Sequence, residues 1–455
     1  MKVIQGSEFD SYWNSSTVQK NDESVDSVVK EIIEAVRSRG DIAVRGFASR
    51  FDKSSPQQLE VPFSAVEQAA GDLRHNDPEV ADALTLAAEH IQRFSLKQRE
   101  QFSDFEYAME KGLITGQRVI PVEKAAIYVP AGRFPLFSSV LMGLIPAFCA
   151  GVEEVILASP PLEDGLPDRN ILAAAGIAIN NFLSPVSNVR LRVFAIGGAQ
   201  AIAALALGTD TIPRADLIAG PGNKFVAAAK RILYGEVGID FIAGPSDVLV
   251  IADDIIVADT GTNGPISQAA DFIAADMIAQ AEHDPDACAR ALISGGDLAE
   301  QVAAAIDRQL ASLPTSETAR ASLDSNGLIV VYQSREEAVR IANIIAPEHL
   351  ELQTADDAWW IPRLKNYGSL FLGSLSAEVL GDYSAGINHT LPTSGSARFT
   401  GGLSVRHFLK TVTTLRCTAG TGFEKARNAA EVLAKAEGLA GHAASAELRK
   451  VKNEK

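Results

Sequence analysis

Cysteine, basic residues and long apolar runs are all scarce in this chain, and each shortage removes a class of function. Three cysteines stand in 455 residues. Cys149, Cys288 and Cys417 are far apart and odd in number, which excludes a disulfide framework and points to a reducing compartment. Lys and Arg total 41 against 57 Asp and Glu, a formal charge of −16. No basic block could track a phosphate backbone, so no nucleic acid is expected as a partner. The greasiest stretch, SSVLMGLIPAFCAGV at 138–152, is too short to span a bilayer, and Gly143 and Pro146 are expected to interrupt it. The opening MKVIQGSEFDSYWNSS lacks the apolar run of a signal peptide. A soluble, cytoplasmic protein with no membrane partner is expected. Histidine is scarce too, with seven residues, so the setting of each one matters.

The hydrophobic share of 47% can bury a large core, and the length calls for two or more domains. VDSVVKEIIEAVRSRG (25–40) spaces its Val and Ile residues helically and ends on Gly40, which predicts an amphipathic helix with a glycine stop. From about residue 125, short apolar runs alternate with Ala-rich helical stretches: AAIYV, VILAS, LRVFAI, DLIAG and VLVIAD, each closed by a Gly or Pro turn. That rhythm predicts βαβ units and a parallel sheet covered on both faces. GLIVVY (327–332) and GSLFLG (368–373) suggest a second α/β unit, and the chain after about 404 reads as mostly helical. No fixed-period repeat is present.

Ligands of such sheets sit in the turns after strands. YVPAGRFPLFSS (128–139), GGAQA (197–201) and AGPGNKF (219–225) each bring glycine to a strand end, yet none fits the G-x-G-x-x-G fingerprint. In QAEHDPD (280–286), Gln280 and His283 would share a helix face and suit a divalent metal such as zinc; a solvated helix end is the plainer alternative. Asp382, Tyr383 and His389 in GDYSAGINH, and His442 with Glu437 before it, are each equally at home on a surface. APEHLELQ (346–353) is sharper. Its proline and its Leu-x-Leu alternation place Glu348 and His349 on a connection entering a strand, where adjacent side chains diverge and could serve different protons in one cavity.

YVPAG, SSVLMGLIPA, GGAQAIAALALGT, AGPGNKFV, YGEVGID, AGPSDVLVIAD, QAEHDPDA, APEHLELQ, GSLFLG, GDYSAGINHTLPT and AEGLAGH, in this order, resemble the histidinol dehydrogenase family over roughly residues 20 to 450. The resemblance implies two successive NAD-dependent oxidations, alcohol to aldehyde to carboxylate, with one zinc per subunit. It implies Gln280, His283, Asp382 and His442 as zinc ligands and Glu348 and His349 as the catalytic pair. His349 would be the base for the alcohol, and Glu348 would activate the water that hydrates the aldehyde. Ser246, Glu437 and His389, beside the ligand residues and His349, would contact substrate, and Tyr128, Gln200 and Asn223 the cofactor. The implied architecture is α/β, with two Rossmann-like parallel-sheet domains and helical terminal extensions, the C-terminal tail exchanged in a homodimer. The expected division is an arm over 1–24, a first domain over 25–127 and 246–403 carrying zinc and catalysis, an NAD domain over 128–245, and a tail over 404–455.

Some features depart from the family. Ala131 stands where the family usually has a second glycine, and Arg133 where it has a small residue. ARFTGGLSVRHFLKTVT (397–413) and Trp359–Trp360 are similar to divergent members such as sulfopropanediol dehydrogenases. GDYSAGINH, Glu437 and APEHLELQ are similar to the histidine-pathway enzymes. L-Histidinol is the expected substrate, and a small anionic alcohol the alternative.

Overall fold

The computed structural model describes residues 1–16, 23–131, 135–180, 182, 189–253 and 266–450. Two six-stranded sheets organise them. The first sheet is wholly parallel, in the order Lys2–Gln5, Leu328–Val331, Cys288–Ile293, Asp247–Ala252, His349–Gln353, Ser369–Leu372. The second runs Glu60–Val61, Arg190–Ala195, Glu154–Ser159, Lys124–Tyr128, Leu217–Ala219, Gly238–Ile239, parallel except for its first strand. Every strand predicted from an apolar run is present, to within a residue or so. Such runs have no polar face to show water, so helices cover both sides of the central strands.

The predicted amphipathic helix is Glu23–Arg39, with Val25, Val29, Ile32, Ile33 and Val36 buried. It stops at Gly40, whose φ of +50° is the left-handed conformation that glycine adopts without strain. The expected interruption at 138–152 does not occur: Ser138–Ala150 is one continuous, buried helix passing through both Gly143 and Pro146. Gly143 is needed there because a Cβ would overlap the Ile127 side chain beneath it.

Three expected boundaries are corrected by the packing. The helices of 25–99 and strand Lys124–Tyr128 belong with the second sheet: Val29, Ile33 and Val36 share a core with Tyr128 and Ile202, and Leu84, Ala88 and Ile91 share one with Ile127 and Leu157. The described start of the expected arm is part of the fold, because Lys2–Gln5 pairs with Leu328–Val331 as an edge strand of the first sheet. The tail opens with a strand rather than a helix. Leu409–Cys417 joins Leu113–Pro121 and Phe105–Glu110 in a three-stranded antiparallel sheet, followed by helices Thr421–Ala436 and Ala440–Glu447. No helix of the described residues is long and apolar enough to cross a membrane.

The two large sheets meet edge to edge. The link 240–246 runs from the end of strand Gly238–Ile239 to the start of strand Asp247–Ala252. It therefore joins the carboxyl edge of the second sheet to the amino edge of the first. Bonds across the junction, Gly244 N–H to Thr393 Oγ1 among them, keep the two edges facing one another.

Candidate active site

Helix Arg335–Ile345 ends at Ala346, one of two non-glycine residues with positive φ (52°) among the described residues, and Pro347 then turns the chain into strand His349–Gln353. This sharp entry puts Glu348 and His349 side by side and buries both, at 5% and 3% exposure, so neither lies on an exposed turn. Asp247, at the start of the neighbouring strand, clasps the pair. Glu348 N–H donates to Asp247 Oδ1 (2.6 Å), and Asp247 N–H donates to Glu348 Oε2 (2.9 Å). The Asp247 carbonyl also lies 3.4 Å from His349 Nδ1, which favours the proton on that nitrogen and leaves Nε2 as the basic end. Nε2 faces Asp382 Oδ1 at 3.3 Å. Burial pushes the Glu348 carboxyl up to about 8, opposed by His349 and assisted by Asp247. Burial alone would lower His349, but Glu348, Asp382 and Glu378 carry it well above the ordinary imidazole value.

Behind this pair is a buried acidic group. His349, Glu351 and Gln353 alternate with Leu350 and Leu352, so three polar side chains share one face of a buried strand. Gln353 Nε2 donates to both Glu351 Oε2 and Asp276 Oδ2 at 3.0 Å, and Glu378 N–H donates to Glu351 Oε1 at 2.9 Å. Burial raises Asp276 to about 6 and, with the neighbouring Asp276 charge, lifts Glu351 well above the carboxylate range. Asp247, Asp276, Glu351 and Glu378 escape a motif search because no spacing announces them. The alternation in HLELQ was the available signal.

Gln280 is fully buried near the end of helix Ile266–Ala281. His283 does not share its helix face: the helix stops at Ala281, and His283 lies exposed on the following turn, where it contributes to the field at Asp382. Asp382 belongs to the short helix Glu378–Tyr383. Among the described residues no three His, Cys, Asp or Glu side chains already close on a metal-sized point. Yet Gln280 Oε1 and Nε2, His349 Nε2, Glu378 Oε2 and Asp382 Oδ1 are buried without a protein hydrogen-bond partner. Such groups are rare in a finished core. An amide oxygen, a carboxylate and a nearby imidazole form a donor set that suits zinc.

Ser246 is half-buried just before Asp247. His389 Nδ1 lies 2.9 Å from the Asp382 carbonyl, which can only accept, so Nε2 must accept from Ser139 Oγ at 3.0 Å. Both of its nitrogens are thus engaged by protein, and a substrate would have to displace one of them. Glu437 and His442 stand exposed on the tail and are not brought to this site. Arg133 lies outside the described residues.

The expected cofactor residues gather at the carboxyl edge of the second sheet, where the strand order reverses between Lys124–Tyr128 and Leu217–Ala219. A crevice at such a reversal is the usual ligand position in open α/β sheets. Tyr128 Oη accepts from Gly198 N–H (3.0 Å), and burial pushes its pKa up to about 12. Gln200 is buried, its Nε2 donating to Asp52 Oδ2 at 3.3 Å, and burial raises Asp52 to about 6 against the bonds from Gln200 and Gly197. Asn223 caps helix Lys224–Leu233 through Phe225 and Val226 N–H. Between them, Gly220 has φ +115°, and a Cβ there would overlap the Tyr128 carbonyl. A buried ion pair holds that turn: Gly220 N–H donates to Asp240 Oδ2 (2.8 Å), and Lys230, paired with Asp240, donates to Gly220 O (3.0 Å). This close-packed glycine cradle fits a dinucleotide's backbone-level approach. Neither Asp52 nor the Lys230–Asp240 pair carries a recognisable sequence signal.

Comparison with known proteins agrees with this geometry. The family model described as histidinol dehydrogenase matches residues 15–450. The histidinol dehydrogenase of Thermus thermophilus is 44% identical over 94% of this chain and 95% of its own length, and that of Aquifex aeolicus 43% identical over 94% and 93%. The crystal structure of histidinol dehydrogenase from Elizabethkingia anophelis superposes with a TM-score of 0.86 at 32% identity, covering 98% of this chain and 97% of that one. The chain belongs to the histidinol dehydrogenase family and is an oxidoreductase of that type.

Proposed function

We propose that the chain oxidises L-histidinol to L-histidine through the aldehyde, using NAD twice and one zinc per subunit, as the last step of histidine biosynthesis. The observation that carries the reading is the buried His349–Asp382 pairing beside Gln280, with its unpartnered polar atoms, set at the edge that faces the glycine cradle. Gln280, His283 and Asp382 would hold the zinc, joined by His442 of the partner subunit. Gln280, His283 and Asp382 would let a bound zinc supply charge that orients the substrate, and Tyr128, Gln200 and Asn223 would hold a nicotinamide that supplies the hydride acceptor for each oxidation. With a bound cation offsetting the carboxylates that otherwise hold a second proton on His349, its Nε2 would take the hydroxyl proton in the first step. Glu348, one oxygen of which is anchored by Asp247, takes the proton of the water that adds to the aldehyde. Two separate acceptors let one pocket run two different steps.

A homodimer with shared sites is supported by what the tail leaves bare. Val432, Leu433, Leu439 and Leu448 are exposed on its helices, and Phe105, Tyr107, Met109 and Leu415 on the sheet it joins. Apolar surface of that kind calls for a partner. Purified enzyme should reduce NAD with L-histidinol and not with sulfopropanediol. Reduction with the sulfonate alone would overturn the substrate assignment and keep the chemistry.

A further inference from the structure

Pro146 sits in the interior of helix Ser138–Ala150 and has no N–H to give the carbonyl four residues back, that of Met142. That carbonyl is not orphaned. Asn388 Nδ2, on the loop that follows Asp382, donates to Met142 O at 2.7 Å. The orientation of the Asn388 amide is fixed independently, because its Oδ1 accepts from Thr390 N–H at 2.9 Å. Three residues earlier on the same helix, Ser139 Oγ donates to His389 Nε2, and His389 Nδ1 holds the Asp382 carbonyl. His90, on the neighbouring helix Pro78–Arg99, completes the contact through Nδ1 at 2.7 Å from Ser384 O.

Helix Ser138–Ala150 follows the central strand of the second sheet, and the loop 384–390 follows helix Glu378–Tyr383, which carries Asp382. We infer that Pro146, Met142, Asn388, Ser139 and His389 form a latch that fixes the alignment of the cofactor-bearing edge against the Asp382-bearing edge. The proline serves this latch by freeing a backbone acceptor in the interior of the helix, away from the unpaired carbonyls of its last turn. Hydride transfer needs donor and acceptor carbons within about 3–3.5 Å, so a small loss of register between the halves reduces the rate even where each half still binds its own ligand. Pro146, Met142, Asn388 and Ser139 are positioning residues: none of these four has to touch substrate or cofactor.

The test separates alignment from stability and rests, in its kinetic arm, on the proposed activity. Asn388→Ala leaves Met142 O buried and unpartnered. The double variant Asn388→Ala/Pro146→Ala returns that acceptor to the helix and leaves the Asn388 tie between the halves severed, with the Ser139–His389 bond in place. The thermal midpoint should therefore fall in the single variant and recover in the double. In both, kcat should stay about tenfold below wild type. Calorimetric affinities for NAD and for L-histidinol, each measured alone, should be unchanged. With L-histidinol deuterated at the alcohol carbon, the isotope effect on kcat should grow. Recovery of kcat together with stability in the double variant would overturn the latch, as would an unchanged kcat in Asn388→Ala. A readout independent of turnover uses spin labels at exposed Ile42 and Glu300, one on each half, in a background with Cys417 replaced by Ser. The distance distribution should broaden in the double variant, and an unchanged distribution overturns the inference. Failure of the wild type to oxidise L-histidinol refutes the proposed function instead and leaves this arm decisive.

Discussion

The two six-stranded sheets are built from similar apolar strands, yet they present opposite edges to the crevice and in opposite chemical condition. At the carboxyl edge of the second sheet nearly every polar group found is paired: Tyr128 with Gly198, Gln200 with Asp52, Lys230 with Asp240 and Gly220, and Asn223 with its own helix. At the amino edge of the first, buried carboxylates crowd around one imidazole and several atoms find no protein partner. A satisfied edge is a preformed seat, suited to a cofactor that comes and goes. An unsatisfied one stores unfavourable energy that a bound cation and substrate can relieve, because buried polar groups cost free energy until they are paired.

Breaking the unsatisfied edge should do the most damage. Chelation of the metal, or His283→Ala, should abolish NAD reduction and leave NAD affinity at the satisfied edge as it was, since losing one ligand weakens both metal affinity and geometry. Metal analysis alongside turnover checks this, and full activity in a metal-free preparation would refute it. His349→Asn should slow both oxidations by about a hundred- to ten-thousand-fold without changing metal content, the usual loss for a missing general base.

Glu348→Gln sharpens the comparison within that edge. Aldehyde oxidation should drop by about a hundredfold and alcohol oxidation by far less, as measured by supplying each substrate separately. The pH profile carries the sign. A carboxyl raised to about 8 is ionised, and so able to accept a proton, increasingly as pH climbs through 8. The aldehyde step should therefore rise with pH across that window in the wild type and be flat in Glu348→Gln. Equal damage to the two steps would show that Glu348 is not confined to hydration.

The sequence made the strands and their order of appearance legible, because an apolar run closed by glycine or proline has few alternatives to a buried parallel strand. It left the assignment of 25–127 illegible. The Val and Ile stripe of Glu23–Arg39 announces that a face is buried but not against which sheet, and only the shared core with Tyr128 and Ile202 decides. At the site, APEHLELQ showed its buried Glu348–His349 pair because proline and alternation constrain a strand entry. Asp247 and Glu378, which reach the pair from other elements, and Asp276, which reaches Gln353 behind it, were hidden, with no local pattern to mark them. Ser139 reads as a plain helix start, and its partner His389 lies 250 positions away.

The smallest expected effect lies at the satisfied edge and asks whether it is as quiet as it looks. Asp52 is partly buried beneath the Gly197–Gly198 turn, and burial raises its carboxyl to about 6 from an ordinary value of 3.8, despite the bonds from Gln200 and Gly197. Between these two values the folded chain holds more of a proton at Asp52 than the unfolded chain does. Stability from this group is accordingly complete below about pH 4 and declines as pH rises through about 6. Solvent reaches the carboxylate, so the contribution should remain under ~1 kcal/mol. Asp52→Asn removes the titration while keeping an acceptor for Gly197. The difference in thermal midpoint between wild type and Asp52→Asn should thus shift in favour of the variant as pH goes from 4 to 6.5 and stay level above that. A constant difference across the window would mean that Asp52 is already ionised in the fold at pH 4, and that its edge carries a stored charge much like the one opposite.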